Sequence, residues 1–140
     1  MFGELTYEEE VQFGAILADY LKDAETLFII STDFCHWGAN YNFYPHDTTI
    51  SEDIQEYVEY LDKQGMDIIE KNNGEGFVDY CNQTKNNICG RHPIAVFLEA
   101  LKATELNVET KFVNVDHTEI IKSKEDSSVT YASAYTVLNE

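Results

Sequence analysis

Positive charge is what this sequence has least of. Nine lysines and arginines stand against 26 acids, a formal charge of −17, and Arg91 is the only arginine. Nucleic acid and anionic membranes would both repel such a chain. Long apolar runs are missing too: nothing approaches the length of a membrane span, and no charged-plus-apolar leader stands at Met1. The three cysteines, Cys35, Cys81 and Cys89, are scattered and make no disulfide framework. They are expected to stay reduced in the cytosol. Repeats, linkers and low-complexity segments are absent. What remains is 140 residues, 44% hydrophobic and 13% aromatic, enough for one domain with a real core despite the charge.

Hydrophobic periodicity places the elements. Thr6 to Lys22 reads as a helix, with Thr6 and Glu9 at capping-box spacing. Val11, Phe13, Ile16, Leu17, Tyr20 and Leu21 give it a broad apolar face. Leu27 to Ser31 is expected to be a buried strand, since it is too uniformly apolar for a sheet edge. Asp33 to Thr49 reads as loop. Ser51 is expected to cap a second helix through Leu61, with a further turn or two beyond Gly65 and a short helix around Phe77, Tyr80 and Cys81. Pro93 suits the first position of a helix reaching about Thr104. Two strands close the chain, one around Phe112 to Val115 and one from Val129 to Leu138.

The class is α/β, or α+β if the last two strands pair antiparallel. Three strands make a very small central sheet flanked by helices. A strand such as 27–31, apolar on both faces, needs neighbours on both sides. Physics alone therefore suggests an oligomer that completes the sheet through its edge, or part of a larger domain.

Two clusters bear chemistry. Asp33, Cys35 and His36 follow the carboxyl end of strand 27–31, where open α/β sheets build their sites. "CGRHP", Cys89 to Pro93, ends at a helix N-terminus, a setting that favours a thiolate or an anion. Arg91 beside Cys89 suggests a specific carboxylate or phosphate partner. Each residue also has a plainer reading: Asp33 as a turn cap, Cys35 as a small buried hydrophobe, His36 as a hydrogen-bonded core histidine, His92 as a helix cap. His46 and His117 sit in polar surroundings and read as solvated. A zinc site from Cys35, His36, Cys89 and His92, or a nucleophilic Cys89 with His36 as base, fits the residue types alone.

Four stretches in this order carry a resemblance: "STDFCHWG" (31–38), "LDKQGMDIIE" (61–70), "NNICGRHPI" (86–94) and "DSSVTYASA" (126–134). Together with "GELTYEEEVQFG" (3–14) they resemble the Memo family, named for mediating receptor-driven cell motility, along essentially the whole chain. That family is similar in fold to class III extradiol dioxygenases, non-haem iron enzymes that open catechol rings. The resemblance implies a pocket in which two histidines and a cysteine hold copper or iron. Cys89 matches that cysteine, which stands where the dioxygenases have a glutamate. His36 matches the dioxygenase acid/base histidine, Asp33 a pocket acid beside it, and Arg91 and His92 are pocket neighbours.

The two metal-binding histidines of the family lie in an N-terminal half that this sequence does not contain, and His46 and His117 do not stand at their positions. Residues 1–140 are thus expected to be the C-terminal half of a Memo-like domain, an incomplete half of a dioxygenase-like fold. The implied function is a cytoplasmic signalling or redox-related protein keeping part of a copper or iron pocket, without dioxygenase activity. An extradiol-type dioxygenase and an inactive truncated fragment are the alternatives. The implied partners are the missing half, a second copy through the sheet edge, or a phosphotyrosine peptide, with neither nucleic acid nor membrane among them.

Overall fold

Four helices and a small antiparallel sheet make up the computed structural model, which describes residues 3–139. Helix α1 (Tyr7–Leu21) starts where the capping box predicts: the Glu9 amide donates to Thr6 Oγ1 at 3.3 Å, and the Thr6 amide to Glu9 Oε2 at 2.8 Å. Its buried stripe is not the large apolar residues but Glu10, Gly14 and Ala18, four positions apart. The reason is close packing on α4 (Arg91–Thr104). A Cβ on Gly14 would lie 2.8 Å from the Ala100 nitrogen and from Glu99 Cβ, so only a small-residue face lets the two axes approach. Val11, Phe13, Ile16 and Tyr20 consequently point to solvent.

Helix α2 (Ile54–Glu70) runs unbroken through Gly65, whose missing side chain leaves room for the Tyr80 ring. Asp53, not Ser51, caps it, because Asp53 Oδ1 accepts from the Glu56 amide; Ser51 Oγ accepts from the Asp53 amide instead. Helix α3 (Gly74–Thr84) follows after a two-residue turn at Asn72 and starts on an Asn73 cap. Gly90 occupies the cap position of α4, which sets Pro93 two residues inside the first turn rather than at its first position.

The sheet corrects the sequence reading most. Residues 27–33 form no regular element and join no ladder. They alternate, with Leu27 and Ile29 outward at 82% and 84% exposure while Phe28 and Ile30 pack partly inward. The first strand, β1, is His36–Trp37, inside the stretch read as loop, and a short 3-10 turn at Ala39–Tyr41 follows it. It pairs antiparallel with β3 (Ser128–Leu138), which pairs antiparallel along its length with β2 (Val108–His117), giving the order β1-β3-β2. The register of the long pair slips once, between Phe112 and Asn114, a bulge of the kind that bends a strand. Phe34, Trp37, Phe77, Leu98 and Ile121 form the centre of the core between the helices and the sheet.

Candidate functional site

The stretch 32–36 lies beside the stretch 86–90, and side chains join them where no backbone ladder does. The Gly90 amide donates to Thr32 Oγ1 at 2.9 Å. The Asp33 amide donates to Cys89 Sγ at 3.1 Å. Asn87 grips the backbone of His36 from both sides: its Oδ1 accepts from the His36 amide and its Nδ2 donates to the His36 carbonyl, each at 2.8 Å. Gly90 is required by this approach, since a Cβ there would fall 2.3 Å from Thr32 Cβ.

The seam gathers three chemistries. Cys89 is the exposed member of the three thiols. His36 Nε2 stands 3.7 Å from Asp33 Oδ2, an ion-pair distance too long for a hydrogen bond, and the edge of its ring meets Tyr41 at 5.3 Å between centroids. Burial pushes the other two thiols up, Cys81 to about 12 and Cys35 further. Neither is a thiolate at neutral pH, so Cys35 behaves as the small buried hydrophobe.

Arg91 and His92 turn toward α1. The Arg91 guanidinium pairs with Glu4, the carboxylate partner for a lone arginine, and His92 Nδ1 sits 2.6 Å from Glu10 Oε1. Hydrogen bonds from His92, with Arg91 beside it, hold the Glu4 carboxyl below its ordinary value. Burial raises that of Glu10 against the pull of His92. Together these four residues line a separate cavity of about 480 Å³, with Asn87 reaching it as well. His117 and His46 are not simply solvated. His117 Nδ1 is 3.1 Å from Thr130 Oγ1, and His46 Nε2 is 2.9 Å from the Ser51 carbonyl oxygen.

Sequence reasoning missed what holds the seam. Asn86 points inward where Asn87 points outward. Its Nδ2 donates to Asp62 Oδ1 at 2.8 Å and to the Tyr80 hydroxyl at 2.9 Å, while Asp62 Oδ1 also accepts from the Cys35 amide. The paired asparagines ahead of "ICGRHP" were the available signal. Burial raises the Asp62 carboxyl above its ordinary value, against its hydrogen bonds from Asn86 and Cys35. A carboxyl raised on folding takes up protons, so its contribution to stability is most favourable at low pH. That contribution falls as pH climbs from the ordinary carboxylate range, about 4, through the raised value. Asp62→Asn keeps the acceptor and removes the titration. Urea midpoints measured from about pH 4 to about pH 8 are expected to show the variant gaining on the parent as pH rises. Parallel curves would mean that Asp62 does not titrate as a buried acid.

As to metal, the seam carries one thiol, one imidazole and the Asp33 carboxyl, and among the described residues no three His, Cys, Asp or Glu side chains gather to hold an ion.

A thiol, an imidazole and a carboxyl thus lie on one side-chain-stitched seam beside a helix-flanked antiparallel sheet. The Memo-like protein family matches residues 1–135, and the chain belongs to that family. It is 38% identical to Protein MEMO1 of Homo sapiens over 136 residues, 95% of this chain and 46% of that protein. It is 40% identical to Protein MEMO1 of Xenopus laevis over 144 residues, 99% of this chain and 48% of that protein. To the Protein memo-1 homolog of Caenorhabditis elegans it is 39% identical over 95% of this chain and 39% of that protein. The chain thus spans less than half the length of these relatives. No helix among the described residues is long and apolar enough to cross a membrane.

Proposed function

We propose that this chain supplies one wall of a cytosolic redox or signalling pocket, with Cys89 as its thiol, His36 as its acid/base and Asp33 as the carboxyl beside the imidazole. The observation that carries this reading is the Asp33 amide bound to Cys89 Sγ at 3.1 Å, which fixes the exposed thiol against the segment bearing the imidazole and the acid. Copper or iron would find at this seam one exposed soft ligand, Cys89, and would need further donors from outside the described residues. Dioxygenase chemistry is not part of the proposal, since non-haem iron oxygenases use two histidines and a carboxylate on open positions, and the seam offers a thiol.

Titration of the chain with copper(I), followed by competition with a chelator, tests the reading. Weak binding abolished by Cys89→Ser is expected, because ligands left out of the sphere cost affinity. Tight one-to-one binding that survives the substitution would overturn it. So would ring opening of catechol by the iron-loaded chain.

A further inference from the structure

The cavity of about 480 Å³ opens between the segment leading into α1, the second half of α3 and the start of α4. Some of its charged groups are already matched: Arg91 by Glu4, and His92 Nδ1 by Glu10 Oε1 at 2.6 Å. Two groups are not. Glu10 is 3% exposed, and its other oxygen, Oε2, is buried with no hydrogen-bond partner among the described residues. Lys85, the exposed residue that caps the C-terminus of α3, lines the same cavity. It makes no ion pair among the described residues, unlike Lys63 with Asp67 or Lys102 with Glu99. An acceptor thus waits at depth and a cation at the mouth.

A buried carboxyl oxygen without a donor costs free energy, and a ligand that brings the donor recovers it. We propose that this cavity binds a small aliphatic α-amino acid, its ammonium donating to Glu10 Oε2 and its carboxylate pairing with Lys85. Burial disfavours the charged form of Glu10, and an ammonium beside it favours that form again.

Each simpler ligand leaves one of the two groups unmet. An amine without an acid brings an uncompensated cation into a cavity that already holds Lys85. An acid without an amine leaves Glu10 Oε2 without its donor and adds a carboxylate to those of Glu4 and Glu10. The zwitterion answers both at once. Leu5, Phe77 and Val78 supply the apolar wall that an aliphatic side chain needs, and the volume falls among those of small-molecule sites, about 300–1,000 Å³. The inference does not depend on the chemistry proposed for Cys89.

Titration of the full chain with L-leucine, followed by amide NMR spectra, tests it. Saturable one-to-one shifts are expected, centred on the start of α1, the end of α3 and the start of α4. Isocaproate, which lacks the ammonium, is expected to bind about tenfold or more weakly, the scale of a hydrogen bond to a charged group. Leucinamide, which lacks the carboxylate, is expected to lose about threefold, the scale of an exposed ion pair. Glu10→Gln removes the buried charge and is expected to weaken leucine by about tenfold or more. Lys85→Gln, at an exposed position that the fold does not depend on, is expected to weaken it by about threefold. Absence of saturable shifts with leucine would overturn the proposal. Leucinamide binding as tightly as leucine would make this an ammonium site, and isocaproate doing so would make it an anion site. Either result overturns the proposal as stated, as does leucine affinity unchanged in either variant.

Discussion

Replacing Trp37 with alanine is expected to cost about 3–5 kcal/mol, the range for deleting a large buried aromatic. Trp37 is 1% exposed, and its indole N–H donates to the Pro45 carbonyl at 3.1 Å, so the side chain both fills the core and ties down the loop after β1. Truncation leaves a cavity and an unpaired carbonyl together. Against a typical domain stability of about 5–15 kcal/mol, that is enough to leave a large unfolded fraction at moderate temperature. Because Trp37 follows His36 on the same two-residue strand, the loss also loosens the seam. Urea denaturation followed by circular dichroism reads the effect. A midpoint within a few tenths molar of the parent would mean that the ring is not a core residue.

The second large effect is expected at Gly14→Val. Helix propensity works slightly in favour of the change, since glycine is about 0.8–1.0 kcal/mol worse than alanine in a helix and valine lies between them. Sterics oppose it. The first added carbon alone would sit 2.8 Å from the Ala100 nitrogen and 2.9 Å from the Glu99 carbonyl carbon, backbone atoms that cannot swing aside. Overpacking of this kind costs about 1–3 kcal/mol, and valine adds two methyl groups beyond that first carbon, so the clash outweighs the propensity gain. A lower melting temperature is expected, with α1 released from α4. Unchanged melting would show that the helices do not dock through this stripe.

What could be read in advance was what local chemistry determines. Thr6 and Glu9 announced the start of α1, and the Tyr-, Thr- and Val-rich end of the chain announced β3, because capping and strand preference act within a few residues. The face that α1 buries was misread: a large apolar residue signals burial more loudly than glycine, but helix–helix distance here is set by Gly14 and Ala18. The uniform apolarity of 27–31 likewise hid an alternation, since period-two burial is invisible when both faces are apolar. Residue type and resemblance singled out Asp33, His36 and Cys89, and the fold brings their two segments side by side. The Asn87 grip was not, because it is a side-chain-to-backbone contact across 51 positions, which no local pattern records.

The outward apolar residues of α1 have a thermal consequence. Val11, Phe13, Ile16 and Tyr20 are already wetted in the folded state, as are Leu27 and Ile29. Unfolding hydrates little that is new at these positions, and it is newly hydrated apolar area that raises the heat capacity. At about 12–15 cal/mol/K per residue, an ordinary chain of 140 residues would gain roughly 1.7–2.1 kcal/mol/K; this one is expected to gain less. Its stability curve is correspondingly broad and flat, with little loss on cooling and a shallow dependence on urea.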